Sequence, residues 1–176
     1  MNKECQEWAK KALPMEGTVL EVGSLNVNGT LRLVLPITHG IDIREGKDVD
    51  EVLDACNLLE RYGPESWDNV VTSNCFEHVE FWELALRNAW GVLKTGGKFL
   101  FEVPTQKKGF HSHPYDYWRW TLDLLRETFK DQEILELSYT WNKDHGVGVI
   151  CRKVTELNYV QPLPVLGKPR PKKEKK

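Results

Sequence analysis

The sequence contains no apolar run near the roughly 18 residues that a membrane-spanning helix needs, so a helical membrane protein is excluded. Its four cysteines, at positions 5, 56, 75 and 151, form no C-x-x-C pair and no metal-ligand spacing. That removes zinc-finger and dithiol redox readings and leaves free thiols in a reducing compartment. Cys75 and Cys151 sit in strand-like contexts, where a reduced cysteine acts as a small hydrophobe. An excess of one charge is also missing: the net charge is -2, so nothing draws the whole chain to nucleic acid or a lipid surface. The first residues, Met1 to Glu7, are polar and acidic rather than signal-like, and the cytoplasm is the expected location. With 40% hydrophobic and 28% charged residues in 176, one soluble globular domain with a proper core is what remains.

What is present is a pattern in the first quarter of the chain. Val19-Leu20-Glu21-Val22-Gly23 is an apolar run ending in an acid and a glycine turn. Gly40-Ile41-Asp42-Ile43 closes a second run on an aspartate, 19 residues after Gly23. In a doubly wound α/β sheet this sets a backbone-lined crevice beside a carboxylate able to accept both hydroxyls of a ribose. Glycine at the turn lets a ligand approach the main chain, because no Cβ intervenes. The three-glycine dinucleotide pattern G-x-G-x-x-G fails, since Leu25 and Asn28 stand at its second and third glycine positions. Glu21 would repel a pyrophosphate but could hydrogen-bond, directly or through water, the ammonium of a methionine moiety. The residues favour a methyl donor over a dinucleotide. The plainer alternative is a glycine turn whose aspartate merely caps a loop.

Two further stretches join these: Ser66-Trp67-Asp68-Asn69-Val70-Val71-Thr72-Ser73-Asn74-Cys75-Phe76-Glu77-His78-Val79, and Val92-Leu93-Lys94-Thr95-Gly96-Gly97-Lys98-Phe99-Leu100-Phe101-Glu102-Val103-Pro104. On these four stretches, from about Thr18 to Arg152, the chain resembles class I S-adenosylmethionine-dependent methyltransferases of the compact branch called methyltransferase type 11. The family's G-x-G-x-G is reduced here to Gly23 and Gly29. The resemblance implies a Rossmann-like sheet, mostly parallel with an antiparallel edge hairpin strand, and helices on both faces. It also implies S-adenosyl-L-methionine as cofactor. The cofactor set it implies is Glu21, Gly23, Ser24, Asp42 and Ile43, with Asp54 and Ala55 at the adenine and the Asn74 backbone at the methionine end.

Reading along the chain, Glu4 to Leu13 is an amphipathic helix stopped by Pro14. Strands are expected at Thr18–Val22, Thr38–Ile43, Val49–Leu53, Asn69–Ser73 and Lys98–Val103, the fourth apolar enough to be buried on both faces. A short helix or turn covers Gly29–Leu35. Phe81–Leu93 has helical periodicity, Gly96-Gly97 is the turn after it, and Leu122–Phe129 follows a Thr121 N-cap. Glu133–Trp141 and Gly146–Arg152 read as two strands joined by a turn. The methyltransferase domain is expected over residues 1–160. Residues 161–176, rich in proline and lysine, are expected to be a flexible tail.

The acceptor side is expected on the segment from Gly109 to Thr121, dense in aromatic and hydrogen-bonding groups and placed after the fifth strand. His113, Tyr115 and Asp116 are the candidate catalytic groups, His113 first for its titration range. His111, Tyr117 and Arg119 are the candidate acceptor contacts. A metal on His111, His113 and Asp116 is a minor alternative, and no metal is expected. Tyr117, Trp118 and Trp120 read as core packing rather than a cage, and His78 as structural. No Asp-Pro-Pro-Tyr-type, Asn-Pro-Pro-Tyr-type or Pro-Cys motif appears, which argues against DNA bases as acceptors. A small molecule, sugar or glycan end, or lipid precursor is the expected acceptor, with no membrane and no nucleic-acid partner. So little chain is left for a substrate domain that self-association or a partner protein could complete the pocket. The rival reading is a catalytically silent S-adenosylmethionine-binding interaction subunit.

Overall fold

The computed structural model describes residues 3–111 and 115–164. Alternating apolar runs and breakers along the first hundred residues give β1 (Val19–Val22), β2 (His39–Asp42), β3 (Glu51–Val52), β4 (Trp67–Ser73) and β5 (Leu93–Pro104). These five run parallel. After the two-residue β6 (Trp118–Arg119) come β7 (Glu133–Trp141) and β8 (Gly146–Arg152). β8 pairs antiparallel with both β5 and β7, so the sheet order is β3-β2-β1-β4-β5-β8-β7. The strand order reverses between β1 and β4, which opens a crevice beyond the carboxyl ends of the parallel strands.

Each face of the sheet carries its own core. Alternate residues of a strand point to opposite faces, and here both sets are apolar. Leu20, Val22, Val70, Phe99 and Phe101 meet α3 (Trp82–Val92) and α4 (Leu122–Thr128). Val19, Val71, Leu100 and Ile150 meet Trp8 and Ala9 of α1 (Lys3–Ala9) on the other side. Burial on both faces explains the nearly unbroken apolar runs of β4 and β5. Trp120 is buried against Phe101 at 5.7 Å between ring centroids, and Trp118 donates its indole N–H to the Val79 carbonyl at 2.9 Å. Both therefore pack the fold.

The expected elements appear with shifted ends, β4 and β5 starting earlier than expected, and two further features differ. A short α2 (Leu58–Tyr62) fills the link between β3 and β4, where no element was expected. Gly96-Gly97 is not a turn ahead of β5 but an irregularity within it: Leu93 pairs with Trp67, and the register resumes at Lys98 with Asn69. Pro162 is buried, and β9 (Leu163–Pro164) pairs with β6, so the chain stays on the body through residue 164. Prolines were read as a tail signal, but proline is compatible with a short edge bridge. The rest of the expected tail lies outside the described residues.

Candidate active site

The crevice is a cavity of about 950 Å³, and all eight residues expected at the cofactor line it. Gly23 ends β1 with φ +82°, and a Cβ there would sit 2.5 Å from Cys75 Cβ and Sγ. Only glycine fits, because side chains rarely adopt that backbone and the space beneath is filled. Gly23 N–H and Ser24 N–H both donate to the Ile41 carbonyl at 2.9 Å, locking the turn onto the end of β2. The loop beyond is shaped by a side chain instead of further glycines. Asn26 accepts from Gly29 N–H at 3.0 Å and donates to Asp48 at 2.8 Å, which supplies the path that a richer glycine pattern would otherwise allow.

Glu21 is 3% exposed and lines the crevice floor. Its Oε2 has no hydrogen-bond partner and lies 4.0 Å from Arg32 Nε, which also lacks one. Burial pushes the Glu21 carboxyl up to about 8, against the pull of Arg32. Asp42, at the end of β2, accepts from Arg44 N–H at 3.1 Å and borders the same cavity. Ile43 next to it is 59% exposed, an apolar side chain standing at the cavity rim. Asp54 caps the turn after β3 by accepting from Cys56 N–H at 2.8 Å, and Ala55 is buried behind it. Asn74, just past β4, takes φ +50° and turns the chain at the crevice edge.

A buried carboxylate holds this edge in place. Glu102 of β5 is 0% exposed and accepts from Ser73 Oγ at 2.7 Å, Asn74 Nδ2 at 2.7 Å, Thr140 Oγ1 at 2.9 Å and Trp141 Nε1 at 2.9 Å. Both Asn74 and Trp141 line the cavity, so this one side chain positions two of its walls. Burial drives its pKa up, while the donors draw it down. Sequence reasoning missed it, although an acid within Phe99-Leu100-Phe101-Glu102-Val103 was a signal: buried on both faces, it must have partners.

On the opposite wall stand His111, Tyr115 and Tyr117, three of the six residues expected there. The loop that carries them is tied to the turn Phe76–His78 beyond β4: Tyr117 N–H donates to the Glu77 carbonyl at 2.7 Å, and the His78 ring bonds the Tyr115 carbonyl. Asp116 and Arg119 are placed differently from expectation. They form a buried ion pair, with Arg119 1% exposed and also bonded to the Gly109 carbonyl, and neither lines the cavity. Asp116 further accepts from His111 N–H at 2.8 Å. The pair braces the loop from inside, since a buried charge stripped of its partner is strongly destabilising. His113 lies outside the described residues. Glu77, also missed, lines the cavity and is 0% exposed, and burial raises its carboxyl to about 8. Burial likewise lowers His111 to about 4, leaving it neutral at ordinary pH. Burial raises the Cys75 thiol, which argues against a nucleophile there.

The crevice fits S-adenosylmethionine on its own features. A ligand can reach the main chain at Gly23, where any side chain would collide, and two carboxylates, Glu21 and Asp42, border that point. Such a donor set suits an ammonium and a ribose. No helix among the described residues is long and apolar enough to cross a membrane.

Residues 39–101 match a family model described as "Methyltransferase domain". No curated protein matches the sequence. Among solved structures, the putative methyltransferase in complex with the Haloferax volcanii Trm112 methyltransferase activator is 18% identical with a TM-score of 0.61, over 86% of this chain and 90% of that one. The 1,6-didemethyltoxoflavin-N1-methyltransferase of Burkholderia thailandensis, solved with its substrate and S-adenosylhomocysteine, is 13% identical with a TM-score of 0.64, over 87% and 78%. The [4+2]-cyclase SpnF is 15% identical with a TM-score of 0.63, over 85% and 80%. At such identities the structural likeness carries the fold alone, and the family match is confined to residues 39–101. The chain therefore has the fold of class I S-adenosylmethionine-dependent methyltransferases and carries a methyltransferase-domain match over residues 39–101.

Proposed function

We propose that the protein methylates a small acceptor, a free small molecule, a sugar or glycan end or a lipid precursor, held against His111, Tyr115, Tyr117 and Trp141. One observation carries this reading: a single cavity runs from the Glu21–Asp42 side to that aromatic wall. In the proposal, Asp42 accepts the ribose hydroxyls, Ile43 and Ala55 flank the adenine with Asp54, and Asn74 and Glu21 face the methionine end. Bound there, S-adenosylmethionine supplies a methyl group on a sulfonium, the electrophile of an in-line displacement. The chain's own work is then mainly positioning and exclusion of water. Tyr115 bonds the acceptor through its hydroxyl, and Asp116 with Arg119 acts by holding the loop. The methyltransferase domain takes in residues 1–160, with 163–164 docked onto it. A small-molecule substrate is supported by the Burkholderia enzyme's similarity, and a protein partner by that of the Haloferax chain, solved with an activator.

The test is untargeted. Full-length protein is incubated with methyl-labelled donor and fractionated cell extract, and the labelled products are identified by mass. A labelled small molecule is expected. Label found only in protein or nucleic acid would overturn the acceptor class, and donor binding with no labelled product would favour the silent subunit.

Glu21 gives a sharper check of the donor end. Its carboxyl is mostly protonated at pH 6.5 in the free protein, since burial holds it near 8. Meeting an ammonium favours the ionised form, so donor binding should release up to about one proton. Affinity should therefore rise as pH climbs toward 8. In the free protein the same raised value works against folding: stability present below the ordinary carboxylate range is lost as pH rises through about 8. Calorimetry at pH 6.5 in two buffers of different ionisation enthalpy counts the protons. Release that persists unchanged in Glu21→Gln would detach Glu21 from the donor.

A further inference from the structure

Three side chains on the acceptor side converge on one point. Glu77, His78 and His111 each present a ligand atom, and these atoms all lie within 4.8 Å of one another. Glu77 Oε1 is 3.6 Å from His78 Nε2 and 3.9 Å from His111 Nε2, too far for hydrogen bonds. Among the described residues, neither buried carboxyl oxygen of Glu77 has a hydrogen-bond partner. An acid fully removed from water and left unpaired is costly, and native structures seldom leave one so. Something belongs between these groups.

The chemistry of the set narrows what that is. A cation bound at about 2.0–2.2 Å by nitrogen and oxygen holds its ligands roughly 3–3.5 Å apart, within a small inward movement of the separations here. Two imidazoles and one carboxylate suit a borderline transition-metal ion better than magnesium or calcium, which prefer oxygen alone. The supporting contacts are those such a site needs. The His78 Nδ1 is bonded to the Tyr115 carbonyl, which orients the ring with Nε2 toward Glu77. The His111 backbone is fixed by Asp116, itself clamped by Arg119. All three side chains also line the cavity, so a fourth coordination position would face it. We propose that Glu77, His78 and His111 form a binding site for one divalent transition-metal ion, with an open position toward the crevice. The minor alternative of a metal on His111, His113 and Asp116 does not describe this site, because Asp116 is spent on Arg119. The inference concerns ion binding itself and stands apart from the identity of the acceptor.

The test uses the full chain without an affinity tag, first stripped with a chelator and then titrated with Co(II). One equivalent should bind with visible d–d absorption, and Zn(II) should displace it. Glu77→Gln preserves size and removes the charge, and His111→Ala removes a ligand from a surface loop. Each should weaken binding at least about tenfold while the melting curve measured without metal stays close to wild type. His145→Ala, a histidine on the turn between β7 and β8, should bind as wild type does. No stoichiometric binding would overturn the proposal. So would binding equally tight in both variants, which would locate the ion elsewhere, for example on the thiols.

Discussion

Glu102→Ala should be the most damaging single substitution near the crevice, lowering stability by about 3–5 kcal/mol. The reason is the number of donors left behind. Ser73, Asn74, Thr140 and Trp141 all direct a hydrogen bond to this one carboxyl, and Ser73 and Thr140 are themselves buried. Each buried donor deprived of its acceptor costs about 1–3 kcal/mol, partly relieved where water can enter the space. For a chain of this length, each kcal/mol is worth about 2–4 °C in melting temperature. A fall of roughly 6–20 °C is therefore expected. Glu102→Gln should fall between, because its amide nitrogen would face donors on one side. Donor affinity should weaken alongside, as Asn74 and Trp141 lose their anchor. A melting temperature within 2 °C of wild type for Glu102→Ala, with roughly unchanged donor affinity, would show that the network neither supports the fold nor sets the crevice.

The sequence made the sheet legible wherever local pattern and tertiary role agree. β1, β2 and β4 lead into or end on residues that also mark the crevice: Gly23 with its positive φ just after β1, Asp42 at the end of β2, and Asn74 just after β4. The Thr121 N-cap was readable because capping is a local contact, here accepting from Leu124 N–H at 3.1 Å. The less legible features depend on residues far apart in sequence. Arg119 looked available for an acceptor, yet its charge is spent on Asp116 three residues away within the folded loop. Glu77 and His111 are separated by 34 positions in the numbering and meet only because the loop is pinned to the turn after β4. The β6–β9 bridge reverses a composition signal, since two prolines near residue 163 argued for a tail. Composition reports average solvation; it does not register pairing with a distant strand.

Asp42→Ala should cost about 1.5–3 kcal/mol of donor binding, or roughly 10- to 150-fold in Kd. A carboxylate accepting two ribose hydroxyls forms charge-assisted bonds, which are stronger than neutral ones. Asp42→Ala keeps the backbone pairing of β2, and among the described residues the Asp42 side chain accepts just from Arg44 N–H, which is exposed enough to bond water instead. Stability should therefore change by less than about 1 kcal/mol. That separation of effects distinguishes a ligand contact from a loop cap. Asp42→Asn should retain part of the affinity, since its amide oxygen still accepts one hydroxyl. Unchanged affinity in Asp42→Ala, or affinity lost only in proportion to stability, would assign Asp42 to the loop alone.

The most direct measurement of the central claim is a calorimetric titration of the wild-type chain with S-adenosylhomocysteine and, separately, with NAD. The crevice beside Glu21, Gly23 and Asp42 predicts a single S-adenosylhomocysteine site and no binding of NAD, whose pyrophosphate would meet Glu21 in place of a helix N-terminus. Binding of NAD with no response to S-adenosylhomocysteine would contradict it.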